Sequence, residues 1–99
     1  MEISEFQQLI SDRYQKRDLQ RGTPATFMWF VEEIGELATA LAGSDRANKQ
    51  EEFADVLAWL ATIANVAGVD LSEAVANKYG TGCPGCAQLV CQCPDEGKP

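Results

Sequence analysis

Acidic residues recur at helical spacing in two apolar stretches of the chain. The first stretch carries Glu32, Glu33 and Glu36, and the second carries Glu52 and Asp55. Residues three and four positions apart are neighbours on a helix surface, where like charges destabilise the helix unless a cation compensates them. Carboxylate oxygens are the ligands that hard divalent cations such as Mg²⁺ and Mn²⁺ prefer. The spacing therefore indicates a candidate cation site between two helices.

Solvated acidic faces are common on amphipathic helices, so this interpretation has a plain alternative. Two features favour the metal site: the acids flank the apolar residues, and Gly35 lies within the first stretch. A mid-helix glycine costs roughly 1 kcal/mol relative to Ala, which suggests close packing or a ligand. The chain has no histidine, which excludes Glu-x-x-His di-iron sites and Ser-His-Asp triads. Carboxylates alone favour Mg²⁺ or Mn²⁺ and phosphoryl chemistry.

All the cysteines lie near the C-terminus, in a segment rich in glycine and proline. Cys83 and Cys86 form a C-x₂-C motif, and Cys91 and Cys93 form a C-x-C motif. Four thiolates so close in sequence are able to enclose one tetrahedral Zn²⁺. The alternatives are a disordered tail of reduced thiols and disulfides formed on oxidation. We predict a structural zinc without a catalytic role, because four protein ligands leave no open position.

The length and the net charge of the chain limit the classes of protein to which it can belong. The chain has 99 residues and a formal net charge of −7, which predicts one small domain. The acidic charge argues against nucleic acid and anionic membrane as partners, whereas bound cations would still admit a phosphate substrate. The N-terminus is acidic with no apolar run behind it, so we expect no signal peptide and a cytoplasmic location. No apolar stretch is long enough to span a bilayer.

Apolar residues recur with the helical period along most of the chain, and no period-2 pattern indicates a strand. We predict helices over residues 2–20, 23–42 and 49–67, and a short fourth helix that Gly80 ends. The predicted fold class is all-α, a bundle of four helices per chain that oligomerisation completes. It occupies residues 1–80, and a short cysteine-rich tail follows in residues 81–99.

The caps and the core of the central helices are also predicted. Thr23 is the expected N-cap of the second helix with Pro24 at its first position, Asn48 begins the third, and Asp70 with Glu73 caps the fourth. The large apolar residues of the two central helices are expected in the core. They are Phe27, Phe30, Val31, Ile34, Leu37, Ala38 and Leu41 of the second helix and Phe53, Val56, Leu57, Leu60, Ile63, Ala64 and Ala67 of the third. One copy cannot cover both apolar faces, so we expect a homodimer or homotetramer.

The acidic motifs match a known family pattern. Glu32-Glu33-x-x-Glu36, a short spacer and Glu52-x-x-Asp55 together resemble the signature of the MazG-like all-α nucleoside triphosphate pyrophosphohydrolases. The resemblance covers about residues 17–79 and extends to the residues around the acids and to the segment that contains Lys78. After Lys78 the chain departs from many relatives, because the cysteine tail replaces the longer basic end of the last helix.

The resemblance implies hydrolysis of a (d)NTP between the α and β phosphates to a (d)NMP and pyrophosphate. It implies that Glu33, Glu36, Glu52 and Asp55 bind Mg²⁺, and that Glu32 assists a further metal or orients and deprotonates water. Such an enzyme uses its cations to neutralise the triphosphate and to activate water. The alternative from another class is a non-catalytic regulatory module that binds nucleotide or zinc on the same helical scaffold.

Four further residues carry weaker expectations. Trp59 lies one turn beyond Asp55, where similar proteins place an aromatic near the base, although a core or interface role fits equally. Lys78 matches a basic position that approaches the phosphates in relatives, although it also fits an ordinary solvated lysine near a helix C-terminus. Arg17 and Arg21 precede the second helix and could reach a phosphate, although we expect a solvated role for both.

Overall fold

The computed structural model describes residues 1–95 and contains four helices and no strand in that range. The helices are α1 (Ile3–Arg21), α2 (Thr23–Ala42), α3 (Arg46–Ala67) and α4 (Leu71–Tyr79). α2 packs along α3, α1 also packs against α3, and the short α4 packs against α1. The predicted all-α class with four helices is confirmed.

A single residue, Gly22, connects α1 to α2. Its φ of 81° lies in the left-handed region, which favours glycine. The Gly22 N–H donates to the carbonyl oxygen of Asp18, and the Gly22 carbonyl accepts from the hydroxyl of Thr26 at 2.6 Å. Gly22 is therefore the N-cap of α2, and the prediction of Thr23 in that role is wrong. Pro24 still lies in the first turn, where a missing N–H leaves no hydrogen bond unmade.

α3 begins at Arg46, earlier than the sequence predicts. Oδ1 of Asp45 accepts from the N–H of Asn48 at 3.2 Å, so Asp45 is the N-cap and Asn48 lies inside the helix. The cap of α4 is confirmed, because Oδ1 of Asp70 accepts from the N–H of Glu73 at 3.1 Å. Each cap satisfies one N–H group that the first turn of a helix would otherwise leave unpaired.

Gln7 of α1 fixes the junction between α3 and α4. Its side-chain amide donates to Oδ1 of Asn65 at 3.0 Å and to the carbonyl of Val69 at 2.7 Å. Its Oε1 accepts from the N–H of Leu71 at 2.9 Å, at the start of α4. These bonds hold α4 at 98° to α3 and against α1.

Within residues 1–95, no single helix is long and apolar enough to cross a membrane. The bent pair of α3 and α4 reaches that length and composition when the two helices are taken together.

The helices meet through small side chains. The buried residues are Ile10, Asp18, Thr26, Ala40, Ala61, Thr62 and Ala64. Ala64 is buried as predicted, and Phe30, Leu37, Val56 and Ile63 are half-buried. The other large apolar residues predicted in the core lie outward, and Phe27 and Phe53 are 54% and 55% exposed. The exposed apolar stripes of α2 and α3 comprise Phe27, Val31, Ile34 and Leu41 of α2 and Phe53, Leu57 and Leu60 of α3. The expectation that these side chains are buried is therefore wrong for a single chain, because the small residues bring the helix backbones together on the other side.

Candidate metal and nucleotide site

Carboxylates from α2 and α3 meet in one place, which we call the acidic cleft. Single carboxylate oxygens of Glu32, Glu33 and Glu36 lie within 4.8 Å of one another, and so do those of Glu33, Glu52 and Asp55. Glu33 belongs to both groups and thereby joins the acids of the two helices. The i, i+3 spacing on each helix puts the acids on the same side of that helix, and the packing of α2 along α3 brings the two sides together.

Two of these carboxylates each have one oxygen that is shielded from solvent without a hydrogen-bond partner. Oε2 of Glu33 and Oε2 of Glu52 are buried, and neither accepts a hydrogen bond from any group in residues 1–95. Desolvation, followed by the negative charges of Glu36 and Asp55, raises the pKa of Glu33 from 4.5 to about 7. The same causes raise the pKa of Glu52. Buried carboxylate oxygens are normally paired, so their arrangement fits a bound cation.

α1 closes one side of the acidic cleft, which has a volume of about 630 Å³. Four of the acids line this volume, and Glu52 lies beside it, within 4.8 Å of Glu33 and Asp55. Cationic and aromatic side chains line the same volume. They are Tyr14, Arg17 and Arg21 of α1, Trp29 of α2 and Trp59 of α3. A cleft that combines carboxylates, guanidinium groups and aromatic rings is able to contact a cation, a phosphate chain and a nucleobase together.

Arg21 is held between two partners in the wall of the cleft. Its guanidinium donates to Oδ1 of Asp18 at 3.1 Å, and its Cζ lies 5.0 Å from the centre of the Trp59 ring. Asp18 is only 3% exposed, so the pair is largely removed from water. The expectation that Arg21 is solvated is therefore wrong, whereas Arg17 at the same cleft is exposed as expected.

Sequence reasoning missed Asp18 and Tyr14 as parts of this site. Asp18 and Arg21 are spaced i, i+3 near the end of α1, which is the ordinary pattern of a surface ion pair. The sequence signal for their role was the position of the pair, which lies directly before the helix that carries the first acidic motif. The burial of Asp18 depends on how α1 packs, and local spacing does not specify that packing.

Some of the other predicted residues lie in the acidic cleft and others lie outside it. Trp59 lies in the cleft with Asp55, as their one-turn separation predicts. Among the described residues, Lys78 is not part of the cleft lining, and its Nζ lies 5.6 Å from the centre of the Tyr79 ring. A Cβ added at Gly35 meets no atom of residues 1–95 within 4 Å, so the close packing expected there is absent from the single chain.

The four cysteines also come together, in residues 81–95, which we call the cysteine loop. Single Sγ atoms of Cys83, Cys86, Cys91 and Cys93 lie within 4.8 Å of one another, and all four thiols are free. Hydrogen bonds from the backbone of Gln92 and Gln88 lower the pKa of Cys86 to about 7. This cluster is able to hold a metal ion that is separate from any ion in the acidic cleft.

The fold and the acidic cleft together define a class: all-helical proteins that gather carboxylates from two adjacent helices, a donor set suited to divalent cations and phosphoryl chemistry. A family model for the MazG nucleotide pyrophosphohydrolase domain matches residues 22–87, two thirds of the 99-residue chain. The chain belongs to this family, as its acidic motifs predict. A comparison with curated proteins found no match.

Proposed function

We propose that this chain hydrolyses a (d)NTP between the α and β phosphates, releasing a (d)NMP and pyrophosphate, with Mg²⁺ or Mn²⁺ as cofactor. One observation carries the proposal. Carboxylates of α2 and α3 converge in one cleft, where Oε2 of Glu33 and Oε2 of Glu52 lack a hydrogen-bond partner within residues 1–95. Family membership supports a nucleotide as the substrate.

Glu33, Glu36, Glu52 and Asp55 are the proposed ligands of the divalent cation. Their donor atoms are all carboxylate oxygens, and each of the other three lies within 4.8 Å of Glu33. When bound, Mg²⁺ neutralises the triphosphate and lowers the pKa of a water molecule that attacks phosphorus. Glu33 holds a proton at neutral pH more readily than an ordinary glutamate does, so this carboxylate exchanges a proton for a cation.

Glu32 is the proposed general base. It is exposed, it lines the cleft, and its carboxylate oxygen lies within 4.8 Å of those of Glu33 and Glu36. A carboxylate beside the metal ligands is able to accept the proton of the attacking water and pass it to solvent. Its exposure suits that role better than the shielded positions of Glu33 and Glu52 do.

Arg21 and Trp59 are the proposed substrate contacts. Arg21 already has a fixed place between Asp18 and the indole ring, so binding a phosphate would cost it little side-chain freedom. Trp59 is half-buried in the cleft and offers an aromatic surface to the nucleobase. A phosphate contact from Lys78, which the resemblance implies, requires either a movement of α4 or a second copy of the chain.

A homodimer or homotetramer is the proposed working form. The exposed apolar stripes of α2 and α3 place large side chains in water along both central helices. Large exposed apolar side chains in such number favour an interaction site, and a second copy of the chain offers the same stripes in return. Equilibrium sedimentation at micromolar concentration should give a mass above that of one chain, and a stable active monomer would contradict the proposal.

Product analysis with a panel of (d)NTPs tests the reaction. With Mg²⁺ the products should be a (d)NMP and pyrophosphate, and a chelator should stop their release. An analogue with an uncleavable link between the α and β phosphates should resist hydrolysis, whereas one with an uncleavable β–γ link should still be cut.

The same assay also tests the alternative that the chain is a non-catalytic regulatory module. A non-catalytic module would bind nucleotide and release no product from any member of the panel. Release of a diphosphate and inorganic phosphate would instead place the cleavage between the β and γ phosphates and refute the proposed reaction.

A further inference from the structure

The cysteine loop has no part in the proposed hydrolysis, yet its four sulfur atoms are close together. Sγ of Cys83 lies 3.7 Å from Sγ of Cys91 and 3.7 Å from Sγ of Cys93. A disulfide would bring two sulfur atoms to about 2 Å, so these thiols are not bonded to one another. Residues 22–87 match the family domain, so Cys91 and Cys93 lie beyond the matched segment. Cys83 and Cys86 lie within it, so the cluster spans the end of the matched segment.

Hydrophobic burial does not explain why the sulfur atoms meet. Leu89 and Val90, the large apolar residues between the two cysteine pairs, are 90% and 76% exposed. Residues 81–95 also contain no helix or strand whose regular hydrogen bonds would fix them. The closeness of the thiols therefore comes from turns of the backbone around the cysteines themselves.

Those turns are tight and include unusual backbone conformations. The N–H of Ala87 donates to the carbonyl of Cys83 at 2.7 Å, and the N–H of Cys83 donates to the carbonyl of Gln88 at 2.8 Å. Ala87 has a φ of 64°, which L-residues with a side chain rarely adopt. Gly82 has a φ of 141°, and a Cβ there would lie 2.8 Å from the carbonyl oxygen of Ala87. Such conformations persist where the surrounding structure demands them, often at ligand sites.

Backbone N–H groups point at three of the sulfur atoms. Gly85 donates to Cys83 Sγ at 3.4 Å, and Gln92 donates to Cys86 Sγ at 3.3 Å. Cys93 donates its N–H to Cys91 Sγ at 3.3 Å. Donors to sulfur stabilise the negative thiolate, which is the form that binds a metal ion. Hydrogen bonds from groups that do not themselves bind the metal also orient metal ligands in general.

We propose that Cys83, Cys86, Cys91 and Cys93 bind one Zn²⁺ in a closed tetrahedral site that orders the cysteine loop. Zinc–thiolate bonds are about 2.3 Å long, so the sulfur atoms of such a tetrahedron lie about 3.8 Å apart. The two Sγ distances of 3.7 Å from Cys83 agree with that edge. An iron–sulfur cluster holds its thiolates farther apart, because several irons and sulfides lie between them. Four protein ligands leave no position for substrate, so the site is structural.

Elemental analysis of the full chain, purified under reducing conditions without chelator, tests the proposal. We expect about one zinc per chain. The double variant Cys83→Ser/Cys86→Ser should lose that zinc and keep its helical circular dichroism, because the helices contain no cysteine. Gln92→Ala is the matched control: it changes the same loop, keeps the backbone N–H that contacts Cys86, and should retain zinc.

Titration of metal-free chain with Co²⁺ separates this site from the acidic cleft. Cobalt bound to four thiolates gives intense charge-transfer and tetrahedral d–d absorption, which carboxylate ligands do not produce. The absorption should saturate at about one equivalent and disappear when Zn²⁺ is added, because zinc binds such sites more tightly. Iron in place of zinc, equal zinc in the double variant, or a Co²⁺ spectrum without thiolate bands would each overturn the proposal.

Discussion

In the acidic cleft the candidate ligands are held by two packed helices, whereas in the cysteine loop they are held by turns of the backbone. Glu33 keeps its place although desolvation, followed by the negative charges of Glu36 and Asp55, raises its pKa to about 7. The thiols of Cys83 and Cys91 have no such scaffold, because residues 81–95 contain no helix or strand. The cleft is therefore built by the fold, whereas the order of the loop, on our proposal, depends on a bound zinc ion.

This difference predicts what each metal ion does for the molecule. A cation in the cleft relieves repulsion within a structure that already exists, so its loss should affect chemistry more than folding. A zinc in the loop supplies the free energy that orders the loop, so its loss should affect local structure more than chemistry.

Replacing Glu36 with Gln should nearly abolish pyrophosphate release. The substitution keeps the size of the side chain and removes one proposed metal ligand, and even the loss of a residue that only supports a ligand costs about 10- to 100-fold. We expect a loss of more than about 100-fold in kcat/KM with Mg²⁺, unchanged helical content and unchanged zinc in the loop.

Glu51→Gln is the matched control for this change. Glu51 is an exposed acid on α3 that belongs to neither group of clustered carboxylates. Its replacement should change kcat/KM by less than about twofold, since surface substitutions away from special features have small effects. Near-full activity of Glu36→Gln, or an equal loss in both variants, would refute the assignment of the cleft.

Replacing Arg21 with Ala should lower the free energy of unfolding by roughly 1–3 kcal/mol. The change leaves Asp18 as a buried carboxylate without its cation and exposes one face of Trp59. Urea unfolding followed by circular dichroism measures the effect. Arg17→Ala, at an exposed position in the same cleft, should change it by less than about 0.5 kcal/mol. Equal stability of the two variants would show that the Asp18 pair does not support the fold.

The helices and the acidic motifs were predictable because both depend on local spacing. The apolar period specified four helices, and the i, i+3 acids specified which sides of α2 and α3 carry carboxylates. The convergence of Glu33 with Glu52 and Asp55 then required only that two consecutive helices pack side by side. The cap of α4 by Asp70 was predictable for the same local reason.

The features that sequence reasoning missed depend on packing between distant segments. Gln7 bonds to Asn65 and Leu71 across more than fifty residues, and no spacing rule connects them. The burial of Asp18 follows from the way α1 packs against α3. The exposed apolar stripes were misassigned to the core because the helical period shows which side is apolar and does not show what covers it.

Replacing Asp45 with Ala should lower the free energy of unfolding by about 1 kcal/mol, because it removes the N-cap of α3. Ser44→Ala, one residue earlier, is the control and should have a smaller effect, since the cap bond comes from Asp45. Because α3 carries Glu52 and Asp55, loss of its N-cap should destabilise the helix that holds these two acids of the cleft. The zinc content of the cysteine loop should stay unchanged. A change in zinc content would contradict the independence of the two regions.

The pH dependence of stability gives the finest test of the contrast. The pKa of Glu33 is about 7 in the folded chain against 4.5 for an ordinary glutamate. Between these values the folded state binds more protons than the unfolded state, so the free energy of unfolding falls as pH rises. The raised pKa of Glu52 acts in the same direction. Metal-free chain should therefore unfold at lower urea concentration at about pH 8 than at about pH 5.5.

The cysteine loop should respond to pH with the opposite sign. Zinc binds thiolates and displaces their protons, so a zinc-loaded loop gains stability as pH rises. Urea unfolding of the helices in metal-free chain, and amide exchange of residues 81–95 in zinc-loaded chain, report the two regions separately. Glu33→Gln should flatten the first profile, because the variant side chain does not titrate, and should leave the second unchanged. Helices that became more stable from about pH 5.5 to about pH 8 without metal would contradict the raised pKa of Glu33.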